Sequence, residues 1–188
     1  MVAIPAELIT LVAEFSSDPV VGYTLRGFLP LERLQTQFKT KELVVGHLRT
    51  AKKQYVDYLA QTTTMHLFPT VLLVRNLDSL EKYAYYFDEL NVSYQVVDCE
   101  TTELSSNLII VPRAVLAHYL QLSGTPVVYS VAVDEADRWS SSQLAHICHN
   151  ALVEHHMTTI PFCNNFKQVF THIVHLNEEE YLWSRRLR

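Results

Sequence analysis

The sequence predicts an α/β domain: a three-layer sandwich with a mostly parallel sheet between two layers of helices, preceded by a helical N-terminal extension. Three observations carry this. Short runs such as "TVLLV" (70–74), "NLIIVP" (107–112) and "VVYSVAVDEA" (127–136) are apolar almost throughout rather than at alternate positions, as in strands covered on both faces. Between them lie stretches with apolar stripes at helical spacing, which fits crossover helices joining parallel strands. The apolar fraction of 48% in 188 residues is enough to bury the core of one ordinary domain.

The elements follow in order. Pro5 to Phe15 reads as a helix, with proline in its first turn and Ile4, Leu8, Leu11, Val12 and Phe15 on one stripe. "SSDP" ends it, and a connector leads to a short helix after Pro30. Residues 40–61 read as helical, with Leu43, His47, Tyr55 and Leu59 on one side. The helical extension is therefore assigned to 1–65 and the α/β domain to 66–188. Within the latter, strand 70–74 leads to a helix capped by Asp78, with Glu81 at capping-box spacing and a stripe of Leu80, Tyr83, Ala84, Phe87 and Leu90. Strands at 94–99 and 107–112 follow, then a helix from Ala114 stopped by Gly124. After strand 127–136, Ser140 and Gln143 open a helix whose stripe runs Leu144, Ile147, Cys148, Ala151 and Leu152. "MTTIPF" (157–162) and "FTHIVHL" (170–176) close the set as strands.

Charge and composition narrow the function. Net charge is −5 and the basic residues are scattered, apart from Lys52-Lys53 and the tail "SRRLR", so no broad cationic field for nucleic acid is present. No apolar run reaches the roughly 18 residues that a membrane span needs. The opening "MVAIPAELITLVAEF" has no basic leader and carries Glu7 and Glu14, so an intracellular protein without a signal peptide or membrane contact is expected. Cys99, Cys148 and Cys163 read as reduced thiols. His146, Cys148, His149, His155, His156 and Cys163 invite a zinc reading. On the expected helix His146 and His149 lie to one side and Cys148 on the apolar stripe, with no Cys-x-x-Cys or His-Glu-x-x-His, so no metal and no other cofactor is expected. Tyr85 and Tyr86 stand off the core stripe as candidate binding aromatics.

Asp134, Glu135 and Asp137 end an apolar strand in "VAVDEADRW". "TVLLVRNLDSLEKYAYYF" is a strand followed by a helix, and "HHMTTIPFCNN" follows the next helix. In order and spacing, residues 70–176 resemble the first RecA-like domain of superfamily-two helicases, especially the DNA-translocase and large-DNA-virus branches. "VAVDEADRW" is similar to that family's acidic motif II, "HHMTTIPFCNN" stands at motif III, and "TVLLVRNLDSLEKYAYYF" or "NLIIVPRAVLAHYL" fills the place of motif Ia. The resemblance implies that Asp134 would hold magnesium and Glu135 would orient the attacking water. It also implies that Arg75, Asn76 and Arg113, which follow strand ends, would touch a nucleic-acid backbone. The opening "IPAELITLVAEF" resembles the start of F-box-type segments.

The family's phosphate loop, Gly-x-x-x-x-Gly-Lys-Ser/Thr, is matched in glycine spacing by Gly22 and Gly27 alone, and Phe28 and Leu29 stand where lysine and threonine belong. "VVGHLRTAKK" offers one glycine and late lysines. The second RecA-like domain has no room at this length. The expectation is therefore a helicase-derived chain without nucleotide chemistry: not an enzyme, but an interaction or structural protein, forming a homodimer or meeting another protein, in the cytoplasm or a virion. A nucleic-acid-binding domain using Arg75, Asn76 and Arg113, and an ATPase completed by a partner chain, are the competing readings.

Overall fold

The computed structural model describes residues 40–47, 49–63, 69–122, 129–149, 151–159 and 170–176. The expected helices at 5–15 and after Pro30, the loop around Gly22, Gly27 and Phe28, Cys163 and the charged tail lie outside the described residues.

Among the described residues, seven strands and four helices follow one another. They are β1 (Thr40–Val45), α1 (Ala51–Thr63), β2 (Thr70–Val74), α2 (Leu77–Glu89), β3 (Gln95–Val96) and β4 (Leu108–Pro112), then a 3-10 turn at Arg113–Val115 and α3 (Leu116–Tyr119). After them come β5 (Tyr129–Val133), a second 3-10 turn at Ala136–Arg138, α4 (Ser141–Cys148), β6 (Ala151–Thr158) and β7 (His172–His175). The strands form one sheet in the order β3-β4-β2-β5-β6-β1-β7, and every neighbouring pair is parallel. The α/β expectation holds, with the sheet wholly rather than mostly parallel.

Alternate residues of a strand point to opposite faces, and both faces are covered here. Leu72, Val74, Ile110 and Ala132 pack against Tyr55 and Leu59 of α1 and Tyr83 and Phe87 of α2. Val71, Leu73, Val131 and Val133 pack against Leu116 and Tyr119 of α3 and Ile147 and Cys148 of α4. That two-sided burial is why these strands read as unbroken apolar runs. The chain steps from β1 over β6 and β5 to β2 in one direction, and from β5 to β6 and on to β7 in the other. Right-handed crossovers of opposite direction put their helices on opposite faces. Where such connections diverge, a crevice opens at the carboxyl ends of the strands, here β1, β6 and β5.

Two segments depart from the sequence reading. Residues 40–61, read as helix within an extension to 65, contain β1, which lies inside the sheet between β6 and β7, and α1 only from Ala51. The misreading has a physical cause. Lys41 and Glu42 look like residues of a solvated helix, yet in register they lie beside Glu154 and His155 of β6. Lys41 Nζ is 3.9 Å from Glu154, and Glu42 accepts hydrogen bonds from Tyr58 Oη at 2.6 Å and His155 Nδ1 at 2.8 Å. The sheet domain thus includes residues from Thr40 onward, earlier than the expected 66. The second departure is at α4. Its capping box of Ser140 and Gln143 is present as read, but Ala151 and Leu152 belong to β6, which begins before the expected 157. At α2 the cap is Asn76, whose side chain accepts from Ser79 N at 2.9 Å, while Asp78 sits in the first turn paired with Lys82.

The Glu42 cluster makes acid stability predictable. The hydrogen bond from His155, then that from Tyr58, against the opposing effect of burial, holds the Glu42 carboxyl down to about 2 from its ordinary 4.5. The unfolded chain takes up this proton first as pH falls. The stability due to Glu42 is therefore complete above 4.5 and lost on the way down to about 2. After allowance for solvent screening it amounts to roughly 1–2 kcal/mol. Urea midpoints measured across that interval are expected to fall in the native chain and to change less in Glu42→Gln.

Candidate nucleotide site

The crevice at the carboxyl ends of β1, β5 and β6 holds a cleft of about 320 Å³. Its wall comes from the β1–α1 loop and first turn of α1 (Arg49, Thr50, Ala51, Lys52, Lys53), from Lys82 and Tyr86 of α2, from Asp134, Glu135, Asp137 and Arg138 after β5, and from Thr158 and Thr159 at the end of β6. Five cationic side chains face three acids in this wall, within a chain of net charge −5. The cleft is thus locally positive, a character that whole-chain charge conceals.

Asp134 is fully buried and is held at every polar atom. Its Oδ2 pairs with Lys52 Nζ, its Oδ1 accepts from Tyr83 Oη at 3.0 Å, its backbone N–H donates to Leu73 at 3.0 Å, and its carbonyl accepts from Trp139 Nε1 at 2.9 Å. Burial pushes its carboxyl above the usual range, and the neighbouring Lys52 charge pulls it back. Burial, then the Asp134 charge, raises the Tyr83 hydroxyl well above its ordinary value, so Tyr83 remains a donor. Glu135 occupies the left-handed region at φ 48°, ψ 50°, which disfavours a side chain with a Cβ by about 1 kcal/mol. Its carboxylate lies 3.5 Å from Arg75. Asp137 accepts from Thr158 Oγ1 at 3.1 Å, tying the turn after β5 to the end of β6.

Lys52 is the residue that sequence reasoning passed over. In sequence, Gly46-His47-Leu48-Arg49-Thr50-Ala51-Lys52-Lys53 begins just after strand β1 and ends in the first turn of helix α1, the order strand, then helix, in which a phosphate loop stands. Gly46 and Lys52 stand at the first glycine and the lysine of Gly-x-x-x-x-Gly-Lys-Ser/Thr; Ala51 replaces the second glycine and Lys53 the hydroxyl residue. The first N–H groups of α1 have no partners within the helix, and its dipole favours an anion there. Gly46 is fixed by packing. Its N–H donates to the Thr158 carbonyl at 3.0 Å, and a Cβ built on it would lie 2.7 Å from the buried Tyr55 ring. Tyr55 is itself pinned by a 2.7 Å bond from its hydroxyl to the same carbonyl. Gly46→Ala is therefore expected to destabilise by about 1–3 kcal/mol through overpacking. Tyr55→Leu in the same chain should recover part of that loss in thermal unfolding.

Of the other residues singled out by sequence, Arg75 pairs with Glu135, Asn76 caps α2, and the Arg113 guanidinium sits 5.6 Å from the centre of the Trp139 ring. Tyr86 lines the cleft, with Lys53 Nζ 5.7 Å from its ring centre, whereas Tyr85 is exposed and bonds Glu89. Gly22, Gly27 and Phe28 lie outside the described residues. Among the described residues, no helix is long and apolar enough to cross a membrane.

No family model matches the chain, and no curated protein matches it in sequence. Among solved structures it is similar to the arterivirus nonstructural protein 10 helicase in complex with DNA, at 16% identity and TM-score 0.46, over 78% of this chain and 37% of that one. It is similar to a crystal structure of the arterivirus nonstructural protein 10 helicase at 15% identity and TM-score 0.48, over 78% of this chain and 36% of that one. The chain spans little more than a third of these proteins. Both are helicases, which are enzymes, and the expectation of a non-enzyme is corrected on that ground. The described residues form a seven-stranded all-parallel sheet with helices on both faces, an α/β fold.

Proposed function

We propose that the cleft binds the phosphates of a nucleoside triphosphate with magnesium, and that the chain acts as a nucleotide-hydrolysing, helicase-like domain. The observation that carries this reading is the Lys52–Asp134 pair, a lysine from the first turn of the helix after β1 meeting the acid at the end of β5 across one intervening strand. The donors fit the group. Asp134 would supply a hard oxygen ligand. The Thr50 hydroxyl is buried without a hydrogen-bond partner among the described residues, and it supplies the oxygen that Lys53, at the usual position, cannot.

Each residue's task follows. Lys52 would bind the outer phosphates, and Asp134, with the Thr50 hydroxyl, would hold the cation. Glu135, next in the chain and lining the same cleft, holds the attacking water. Lys82 and Arg138 add positive charge to the wall. Magnesium, when bound, neutralises phosphate oxygens and polarises the terminal phosphoryl group.

Titration of the chain with a fluorescent ATP analogue tests this. Binding is expected to require magnesium and to vanish in Lys52→Met. Glu135→Gln should keep binding while losing turnover by two orders of magnitude or so, the scale of removing one positioned catalytic group. No magnesium-dependent binding by the native chain at millimolar nucleotide would sink the proposal.

A further inference from the structure

On the opposite side of β6 from α1, three chemically different ligands converge. Glu154 and His156 are alternate residues of β6 and so share a face, and Cys148 ends α4 above them. Their relative exposures are 3%, 4% and 5%, and their ligand atoms all lie within 4.8 Å of one another. His156 Nε2 is 2.9 Å from Glu154 Oε2. Four donors around tetrahedral zinc, at about 2.0–2.3 Å from the metal, stand roughly 3.3–3.7 Å apart, so side-chain adjustments on the order of an ångström seat an ion between these groups. A cavity of about 480 Å³ adjoins the cluster, lined by Cys148, Glu154, His156 and also His149. It gives the site an entry path and room for a fourth ligand, water or imidazole.

We propose that Cys148, Glu154 and His156 bind a borderline-soft divalent cation of the zinc class. The donor set argues for that class: a thiolate is a poor ligand for magnesium or calcium, whereas sulfur, imidazole nitrogen and carboxylate oxygen together suit zinc. The charge balance agrees. Thiolate and carboxylate would bring two negative charges into a buried place, with the Lys41 ammonium 3.9 Å from Glu154. A divalent ion satisfies both. The sequence reading expected no metal because, on the expected helix, Cys148 fell on the apolar stripe away from His146 and His149. Cys148 does lie on the buried stripe, but the stripe faces β6, where its co-ligands stand. His146 is exposed and off the cluster.

The bound ion would clamp the end of α4 to β6, two residues before Thr158, which reaches the nucleotide cleft. The site is independent of the nucleotide reading, and its test does not use nucleotide.

Cobalt(II) replaces zinc and reports on its ligands. Titrating the native chain with cobalt is expected to give one tightly held ion with a thiolate-to-cobalt charge-transfer band and strong tetrahedral visible bands, both discharged by added zinc. The charge-transfer band should vanish in Cys148→Ser and survive in Cys99→Ser, since Cys99 is exposed and elsewhere. Glu154→Gln should weaken binding while circular dichroism stays native. A native chain that gives no charge-transfer band overturns the proposal, as does a band that persists in Cys148→Ser. Should Cys148→Ser fail to fold, the native titration and Glu154→Gln still decide the matter.

Discussion

Lys52→Met is expected to destabilise the chain by about 3 kcal/mol, the lower end of the range for removing one partner of a buried ion pair. Asp134 is fully buried, and the Lys52 side chain is only 22% exposed, so solvent cannot replace the lost ammonium. What remains is a buried carboxylate with a single side-chain donor, Tyr83. The carboxylate responds by taking up a proton at a higher pH, so the loss is expected to be larger at alkaline than at mildly acidic pH. The sign follows from its raised folded value: the protonated form is the one the interior favours. Asp134→Asn in the Lys52→Met chain removes the orphaned charge and should recover at least half of the loss. Urea unfolding of the four chains closes a double-mutant cycle, and a coupling energy near zero would show that the two residues do not pair.

Trp139→Ala should have an effect as large, about 3–5 kcal/mol, because a buried indole leaves a large cavity. Its ring belongs to the core of Val131, Val133, Ile147 and Ala151, and the Arg113 guanidinium covers it. Its Nε1 also holds the Asp134 carbonyl, so the residue anchors the turn that presents both acids. Trp139→Phe separates the two contributions. It keeps much of the packing and loses the hydrogen bond, worth about 1 kcal/mol. If the turn matters to function, Trp139→Phe should weaken magnesium-dependent nucleotide binding more than its small stability loss explains. Equal unfolding midpoints for Trp139→Ala and the native chain would contradict the packing described.

Much of the fold was legible in sequence because strands such as 70–74 and 108–112, covered on both faces, must be apolar throughout, and because Ser140 and Gln143 spell their cap locally. What escaped was β1. Its charged residues make sense only once β6 lies beside it, and no local pattern encodes a neighbour more than 100 residues away. The candidate site divided in the same way. The acids Asp134 and Glu135 announced themselves at a strand end, whereas Lys52 was hidden by a loop with alanine and lysine at two positions where glycine and a hydroxyl residue are usual. Missing the strand concealed the loop that follows it. The cluster of Cys148, Glu154 and His156 was invisible because α4 ends and β6 begins inside what reads as one helix.

The cross-strand partners of β1 also guard its alignment. Slid by one residue, Glu42 would lie beside Glu154 and Lys41 beside Val153, setting two carboxylates side by side and leaving the ammonium without its carboxylate neighbour. A slip also turns every side chain of the strand to the wrong face. Two charges that look out of place in a core strand thus serve as a key that admits the strand in one alignment only.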